Sequence, residues 1–216
     1  MYVPRHHELP GSDAAHALIE AHPLGAWVVP GADGLVANHL PFLLDRSRGK
    51  FGTLLGHVSR ANPVWRQLDA SKQSIVMFQG PDAYITPAWY PGKREHGKVV
   101  PTWNYEVAHA HGVARAIHDT GWLRDLLARL TADNEAARTM PWTMADAPSE
   151  FIDKLLRAVV GIEIPIDDLV GKRKASQDEE LQDRWGTVKG LMAEGSDNAL
   201  AMASLVRNAI GRSEGA

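Results

Sequence analysis

The stretch VVPTWNYEVAHAHGVARAI, residues 99–117, decides the predicted fold, because it reads as one long β-strand with two unlike faces. Side chains alternate across a strand, and the bulky side chains share one face: Val107, His109, His111, Val113, Arg115 and Ile117. The other face carries small residues: Ala108, Ala110, Gly112, Ala114 and Ala116. A bare face of this kind lets another strand, a subunit or a flat ligand approach the backbone closely.

Short runs of β-branched and aromatic residues precede this strand and are separated by Gly, Pro, Asn and Asp, which is typical of a β-rich region. They predict six strands in total, at residues 25–29, 35–45, 51–58, 74–79, 83–90 and 99–117. Closing such a sheet disposes of its unpaired edges. The predicted fold class is therefore α+β, mainly β, with an antiparallel six-stranded barrel and helical connections.

Apolar residues at helical spacing predict the helices, at residues 13–22, 62–69, 120–138, 151–159, 177–193 and 197–210. A further strand is predicted at 161–167, and the charge-dense stretch 171–184 reads as a loop and a helix start. These elements predict a barrel core over residues 1–118 and a helical part over 119–216 that packs on it as one structural unit.

Composition limits the classes of function open to the chain. It has 216 residues, a formal net charge of −3 and no cysteine, so disulfides, thiolate metal sites and a cysteine nucleophile are excluded. No apolar run approaches the roughly 20 residues that a spanning helix needs. We expect a soluble, cytoplasmic protein without a membrane partner and without a global basic field for nucleic acid.

Two histidines on the 99–117 strand raise the question of a metal site. His109 and His111 would emerge about 7 Å apart on one strand face. A third ligand could come from His39, from His57 or from the pair His6–His7, and the spacing favours none of them. No HExxH motif is present. The expectation is therefore no metal site.

A strand-to-helix junction, GHVSRANPVW at residues 56–65, gathers four polar side chains: His57, Ser59, Arg60 and Asn62. An Arg fork, a hydroxyl and the free N–H groups of a helix start suit a phosphate. A helix cap beside a surface arginine explains the same residues equally well. The aromatic residues Tyr84, Trp89, Tyr90, Trp103 and Tyr105 can flank a planar ring system or fill a core, and the core is favoured because most buried aromatic residues pack there.

A series of motifs resembles the PaiB-like family, described as FMN-binding negative transcriptional regulators. They are NHLPFLLD, GTLLGHVSRANPVW, FQGPDAYITPAWY, VPTWNYEVAHAHG, LTADNE, VVGIEI and GKRKASQ, in this order and over nearly the whole chain. Members of this family are similar to the pyridoxamine-phosphate-oxidase-like split barrels, which bind FMN at a homodimer interface. The resemblance therefore implies a split-barrel core, FMN as cofactor and a homodimer.

The resemblance also assigns expected roles to residues. The junction residues His57, Ser59, Arg60 and Asn62 would hold the phosphate and ribityl chain of FMN. Trp103, Asn104 and Tyr105 would border the isoalloxazine ring. The GKRKASQ motif contributes Lys172, Lys174, Ser176 and Gln177, which would close the site. The family more often has Asn where this chain has Asp178. Catalytic residues stay unknown, and His109 and His111 are expected to hydrogen-bond within the barrel or its interface.

Three functions remain open at this point. The first is an FMN-binding repressor-type regulator, the second an FMN-dependent oxidoreductase, and the third a haem-binding split barrel. Direct DNA binding is weakly supported, because Arg207 is the sole basic residue in the second helix of the stretch 177–210. The basic loop residues Lys93, Arg94 and Lys98 would favour DNA if they formed one surface, and a substrate if they closed over the flavin.

Overall fold

The structure is a computed structural model that describes residues 1–214. Its strands are β1 (Leu24–Gly31), β2 (Gly34–Pro41), β3 (Leu43–Asp45), β4 (Thr53–Ser59), β5 (Ser74–Ile85), β6 (Thr102–Gly112), β7 (Arg115–Ile117), β8 (Val159–Pro165) and β9 (Asp168–Lys174). Its α-helices are α1 (Gly11–Ala21), α2 (Gly92–Glu95), α3 (Thr120–Glu135), α4 (Ser149–Arg157), α5 (Leu181–Glu194) and α6 (Asp197–Glu214). Short 3-10 segments lie at Arg5–His7, Pro63–Arg66, Pro87–Trp89 and Met144–Asp146.

The strands form two antiparallel sheets, so the α+β class is confirmed and the six-stranded barrel is wrong. One sheet has five strands in the order β2-β1-β5-β6-β9, and the other has four in the order β3-β4-β8-β7. The predicted strand 35–45 is interrupted at Phe42, which places β2 and β3 in different sheets. The opening strand 99–117 is likewise interrupted between β6 and β7. Each of these predicted strands therefore supplies one strand to each sheet. The sequence pattern does not show at which residue the chain passes from one sheet to the other.

Two other predicted elements differ from the structure. The runs 74–79 and 83–90 are not two strands, because β5 continues through Gly80 and Pro81 to Ile85. The start of the charged stretch 171–184 is not a loop, because residues 171–174 belong to β9. Its charges did not predict a strand because charged residues have a low β-propensity, which the pairing of β9 within the sheet overrides.

The chain divides into two compact units. Unit 1 contains Met1–Leu18, Gln79–Ala108 and the chain from Val170 onward, and unit 2 contains Ile19–Phe78 and His109–Leu169. The chain passes from one unit to the other four times, within α1, β5, β6 and β9. The predicted boundary after residue 118 falls inside unit 2, between β7 and α3, and the last two residues of the predicted helical part lie outside the described residues.

The core of unit 1 is formed by α5, α6 and the end of β5. Its buried residues include Ile85, Tyr90, Leu191, Met202 and Val206. Glycines in α5 allow the helix to approach the Pro87–Trp89 segment closely. A Cβ added at Gly190 would lie 2.1 Å from the Trp89 ring, and one at Gly186 would lie 2.1 Å from the Trp89 carbonyl oxygen. Gly195, at φ 73°, ends α5 in the left-handed conformation that glycine adopts without strain.

The core of unit 2 forms where α3 and α4 pack on the four-stranded sheet. β4 and β8 pair along their whole length, from Thr53 opposite Pro165 to Ser59 opposite Val159. The Asp119 carboxylate caps α3 by accepting a 2.7 Å hydrogen bond from the Trp122 backbone N–H. Leu123, Ile152 and Leu156 form one buried cluster, and Leu43, Leu55, Leu126 and Leu130 form another.

The two faces of β6 differ in burial as their side chains do in size. Ala108, Ala110 and Gly112 are buried, whereas His109 and His111 are only half-buried. A Cβ added at Gly112 would lie 2.1 Å from the Pro165 carbonyl oxygen, so the bare face permits a close backbone approach. None of the helices within residues 1–214 is both long and apolar enough to cross a membrane.

Candidate functional site

The outward face of β6 in unit 1 carries exposed aromatic side chains. Trp103 is 55 % exposed, and Tyr105 follows it on the same face. The ring of Tyr84, on β5, meets the Trp103 ring edge to face with centroids 5.8 Å apart. A large aromatic side chain that stays this exposed is available to a planar ligand.

Two lysines of β9 lie beside these aromatic residues. The Lys172 ammonium lies over the Tyr105 ring, 5.2 Å from its centroid, and the residue is only 9 % exposed. The Lys174 ammonium donates to Thr102 Oγ1 at 2.5 Å and to the Trp103 carbonyl oxygen at 3.3 Å. Trp103, Tyr105, Lys172 and Lys174 are called here the aromatic–lysine strip. Its aromatic surface and cationic donors match the two chemical halves of a flavin mononucleotide.

A buried hydrogen bond joins two of the predicted site residues behind this strip. Asn104 Nδ2 donates to Ser176 Oγ at 2.9 Å, and both residues are buried. Ser176 has φ 57°, a conformation that a non-glycine residue adopts at a cost and that is found most often at functional sites. Within residues 1–214, Asn104 Oδ1 has no hydrogen-bond donor, so one buried acceptor is left over.

Gln177 shapes the loop that follows β9. Its Oε1 accepts from the Ala175 backbone N–H at 2.6 Å, and its Nε2 donates to the Arg173 carbonyl oxygen at 2.6 Å. Both polar atoms of the side chain are therefore engaged with the backbone. Gln177 holds the loop in shape, and a role in closing the flavin site stays a prediction.

An ion pair that the sequence did not predict supports the inward face of β6. Arg173 Nε donates to Glu106 Oε1 at 2.6 Å, and the Glu106 side chain is buried. The pair lies on the strand faces opposite the aromatic–lysine strip, because side chains alternate along β6 and β9. Alternation from Asn104 places Glu106 on the inward face, but no spacing in the sequence indicates its partner.

The loop at residues 90–98 contains α2 and is attached to α5. The Gly92 backbone N–H donates to Asp183 Oδ1 at 2.9 Å, and Gln182 Nε2 donates to Glu95 Oε2 at 2.8 Å. Its basic residues are exposed: Lys93, Arg94 and Lys98. These attachments are not predictable from the sequence, because Asp183 carries no local signal of its distant partner.

The remaining predicted residues lie in unit 2, where Arg60 and Asn62 have structural partners. Arg60 Nε and Nη2 donate to the carbonyl oxygens of Arg157 and Val159, at 2.7 and 2.8 Å. Asn62 Oδ1 caps the following 3-10 segment by accepting from the Val64 N–H at 3.0 Å, and its Nδ2 donates to Asn38 Oδ1 at 2.7 Å. These bonds tie the end of β4 to its neighbours and leave Arg60 Nη1 for a further acceptor.

His57 and Ser59 complete this group. Burial lowers the pKa of His57, which keeps its imidazole neutral near pH 7. A depression of about 300 Å³ beside His57 is also lined by Pro41, Leu127 and Asn134. Ser59 is exposed, and its Oγ accepts from the Ala61 N–H at 3.3 Å. The four residues are neighbours on one segment of unit 2, and their role in holding phosphate stays a prediction.

A cavity of about 500 Å³ lies in unit 1 next to the exposed Trp103 ring. Its lining is aromatic, acidic and polar: Asp82, Ala83, Tyr84, Thr86, Trp89, Trp103, Glu194, Ser196, Asn198 and Ala199. Asp82 accepts a 2.7 Å hydrogen bond from Gln79 at its rim. The volume is adequate for a small molecule.

The strip, the buried amide link and the two sheets define an α+β protein with a site suited to a flavin. The chain belongs to the family described as "Putative FMN-binding domain", which matches residues 1–168. An uncharacterized protein of Emericella nidulans is 33 % identical, covering 88 % of this chain and 90 % of that one. The "Protease synthase and sporulation protein PAI 2" of Bacillus subtilis is 28 % identical, covering 96 % of this chain and 97 % of that one.

Solved structures share the fold at low sequence identity. The flavocytochrome Anf3 from Azotobacter vinelandii has a TM-score of 0.57 at 15 % identity, covering 80 % of this chain and 72 % of that chain. The FAD and haem binding protein from Mycobacterium smegmatis has a TM-score of 0.55 at 19 % identity, covering 88 % and 80 %. The family match confirms the predicted family and FMN as cofactor, and together with the shared fold it identifies the protein as an FMN-binding split-barrel protein.

Proposed function

We propose that the protein is a flavin-dependent regulator of the PaiB type that acts as a homodimer and binds FMN through the aromatic–lysine strip. The observation that carries the proposal is Lys172, a residue only 9 % exposed whose ammonium lies over the Tyr105 ring. Within residues 1–214, no carboxylate lies within 4.0 Å of its Nζ. A buried charge is costly without a counter-charge, and an anionic group of a ligand would supply one.

The aromatic residues of the strip supply the complementary half of the site. An exposed indole such as Trp103 and the half-buried Tyr105 ring offer flat surfaces for an isoalloxazine ring. Lys174 supports this arrangement, since it donates to the Trp103 carbonyl oxygen and so fixes the backbone that carries the indole. The bound flavin supplies hydride or electron transfer, while the chain's own residues bind and orient it.

The second predicted group lies on unit 2 and is proposed by itself, as the alternative to Lys172, as the site of the phosphate and ribityl chain. Arg60 Nη1 and the exposed Ser59 hydroxyl are the donors available there, because the other guanidinium nitrogens of Arg60 hold backbone carbonyls. Variants at Arg60 and at Lys172 test the two groups separately.

The homodimer interface is proposed on the part of the five-stranded sheet that belongs to unit 2, on the outward face of β1 and β5. Ala26 pairs with Met77 and Val28 pairs with Ile75, and all four side chains are half-buried. A half-covered apolar face of a central sheet suits a second copy of the same chain, since a two-fold interface matches one surface to itself. Ile75→Asp is expected to convert a dimer to a monomer in analytical ultracentrifugation. An unchanged sedimentation coefficient would contradict the proposed interface.

The regulatory part of the proposal rests on the resemblance of the sequence motifs to the PaiB-like regulators, and the Bacillus subtilis protein PAI 2 is similar over 96 % of this chain. The charges favour regulation in which α6 does not serve as a DNA recognition helix. The formal net charge is −3, and Arg207 is the single basic residue among the described side chains of α6. Transcript levels in the native host, compared between a strain with the wild-type gene and one with a Lys172→Met variant, test whether regulation depends on the flavin.

An FMN-dependent oxidoreductase is the second candidate, favoured by the 500 Å³ cavity beside Trp103. A substrate there would lie against the same indole that is proposed to border the flavin. Steady-state oxidation of NADH or NADPH by the FMN-loaded protein, with a panel of electron acceptors, distinguishes the two. Turnover that Trp103→Ala abolishes while FMN stays bound would favour the enzyme.

FMN titration of the purified protein, followed by flavin absorbance and fluorescence, tests the site directly. We expect Lys172→Met to weaken FMN binding at least tenfold because it removes the buried cation. Lys189→Met is the matched control, since this lysine is exposed on α5. If Lys172→Met binds FMN with wild-type affinity, the aromatic–lysine strip is not the FMN site. If only Arg60→Lys loses FMN affinity, the anionic contact lies in unit 2.

A further inference from the structure

Two adjacent histidines near the N-terminus are fixed against β9 in unit 1. Leu9 lies two residues after the 3-10 segment Arg5–His7, and its backbone N–H donates to the Gly171 carbonyl oxygen at 3.1 Å. A β-bridge joins Glu8 to Lys172. A Cβ added at Gly171 would lie 2.5 Å from Leu9 Cδ1, so the close packing of the segment on β9 depends on that glycine. The backbone that carries His6 and His7 is therefore held in place by β9.

The two imidazoles meet one carboxylate at this position. The ring centroids of His6 and His7 are 4.2 Å apart, and His7 Nε2 lies 3.7 Å from Asp178 Oδ1. One ligand atom from each of the three residues lies within 4.8 Å of the other two. Imidazole nitrogen and carboxylate oxygen are ligands that divalent transition metals accept, zinc among them.

The burial of the His7 side chain points to the same site independently of the distances between the three residues. His7 is 4 % exposed, and within residues 1–214 neither ring nitrogen has a hydrogen-bond partner. A buried imidazole whose nitrogens lack hydrogen-bond partners is costly, and coordination of a metal ion by one of them would satisfy it.

The loop after β9 presents the carboxylate of the cluster. Gln177 holds this loop through its bonds to the backbone of Ala175 and Arg173. Asp178 follows it directly, and both Asp178 and His6 are exposed. Zinc–ligand bonds of about 2.0–2.1 Å place tetrahedral ligand atoms about 3.3 Å apart. The two exposed side chains can make that small contraction toward the fixed His7 ring.

We propose that His6, His7 and Asp178 form a binding site for a divalent transition-metal ion, with a fourth position open to water or to a small ligand. Three protein ligands and one open position are the arrangement of reactive zinc sites rather than of closed structural ones. Lys172 and Lys174 lie on β9, and Lys172 is bridged to Glu8, the residue that follows the two histidines. Their positive charges oppose a cation, so the site is expected to bind more weakly than one without lysines nearby.

The test is zinc binding by the untagged full-length protein, measured by isothermal titration calorimetry and by metal content after dialysis. We expect one zinc ion per chain, and binding at least tenfold weaker in His7→Gln and in Asp178→Asn. His22→Gln, a histidine outside the cluster, is the control and is expected to bind as the wild type does. Zinc is a suitable probe because it has no redox chemistry and imposes no geometry of its own.

Each alternative outcome contradicts the site. Absence of binding in the wild type overturns the proposal, and equal binding in wild type, His7→Gln and Asp178→Asn assigns the zinc to other groups. Asp178→Asn changes one exposed side chain, so it separates metal loss from a folding defect in His7→Gln. Circular dichroism and the melting temperature without zinc serve as the folding check for both variants.

Discussion

Asn104 and Ser176 are joined by a 2.9 Å hydrogen bond from the amide Nδ2 to the hydroxyl Oγ, and both residues are buried. The bond connects β6 to the loop after β9, so the motifs VPTWNY and GKRKASQ meet in unit 1 although 72 positions separate the bonded residues. Ser176 accepts a positive φ of 57° at this point. The backbone strain and the buried amide both lie directly behind the aromatic–lysine strip.

Loss of the Ser176 hydroxyl should destabilise unit 1. Ser176→Ala leaves the Asn104 amide without its acceptor, and a buried unsatisfied group costs about 1–3 kcal/mol. The free energy of unfolding in urea measures the effect. Ser71→Ala removes an exposed hydroxyl that bonds Asp69 and is expected to change stability by less than about 0.5 kcal/mol. Equal effects in the two variants would show that the buried link contributes nothing.

Arg60→Lys should weaken unit 2 even without flavin. The lysine keeps the positive charge but cannot donate to the carbonyl oxygens of Arg157 and Val159 at once. Loss of the two bonds is expected to cost about 1–3 kcal/mol. Denaturation of the FMN-free protein measures the loss in free energy of unfolding. FMN titration at a temperature where the variant is folded measures the change in FMN affinity. A fully stable variant that still loses FMN would show that Arg60 acts on the ligand alone.

Glu106→Gln should be far more damaging than loss of an exposed ion pair. The Glu106 side chain is buried, and Arg173 would be left with a partly buried charge; breaking such a pair costs about 3–5 kcal/mol. Glu20→Gln breaks the exposed pair with Arg46 and is expected to cost at most about 1 kcal/mol. The two midpoints of chemical denaturation decide the prediction, which fails if they shift equally.

Gly190→Ala should disturb the contact between α5 and the Pro87–Trp89 segment. The added methyl group would lie 2.1 Å from the Trp89 ring, and overpacking of this kind costs about 1–3 kcal/mol. Gly211→Ala, in α6, has no heavy atom within 4 Å of the new group and is expected to stabilise by up to about 1 kcal/mol. Thermal melts of the two variants should therefore move in opposite directions.

Stability should increase as the pH rises through the histidine range. Burial lowers the pKa values of His7, His57 and His109 below 6.5, so the unfolded chain binds more protons than the folded one as pH falls below that value. The free energy of unfolding is then lost progressively below about pH 6.5 and is fully present above it. Urea denaturation between pH 5 and 7.5 measures the slope. His57→Gln should flatten it, whereas a slope identical to the wild type would contradict the assignment.

The sequence by itself determined the family, the cofactor and the faces of the strands. The family follows from motifs such as GPDAYITPAWY and VPTWNY, which are local strings of residues. Alternation in the stretch 99–117 correctly separates the buried small residues from the half-buried histidines. Local periodicity carries this information because neighbouring side chains on a strand point to opposite faces.

Only the tertiary structure decided the sheets and the partners of the polar side chains. The exchange of sheets at Phe42 and the strand β9 depend on pairing with segments far along the chain. The same holds for the bonds of Asn104 to Ser176 and of Arg60 to two backbone carbonyls. A hydrogen-bond or ion-pair partner is selected by which elements pack together, and packing minimises the free energy of the whole core rather than of any one segment.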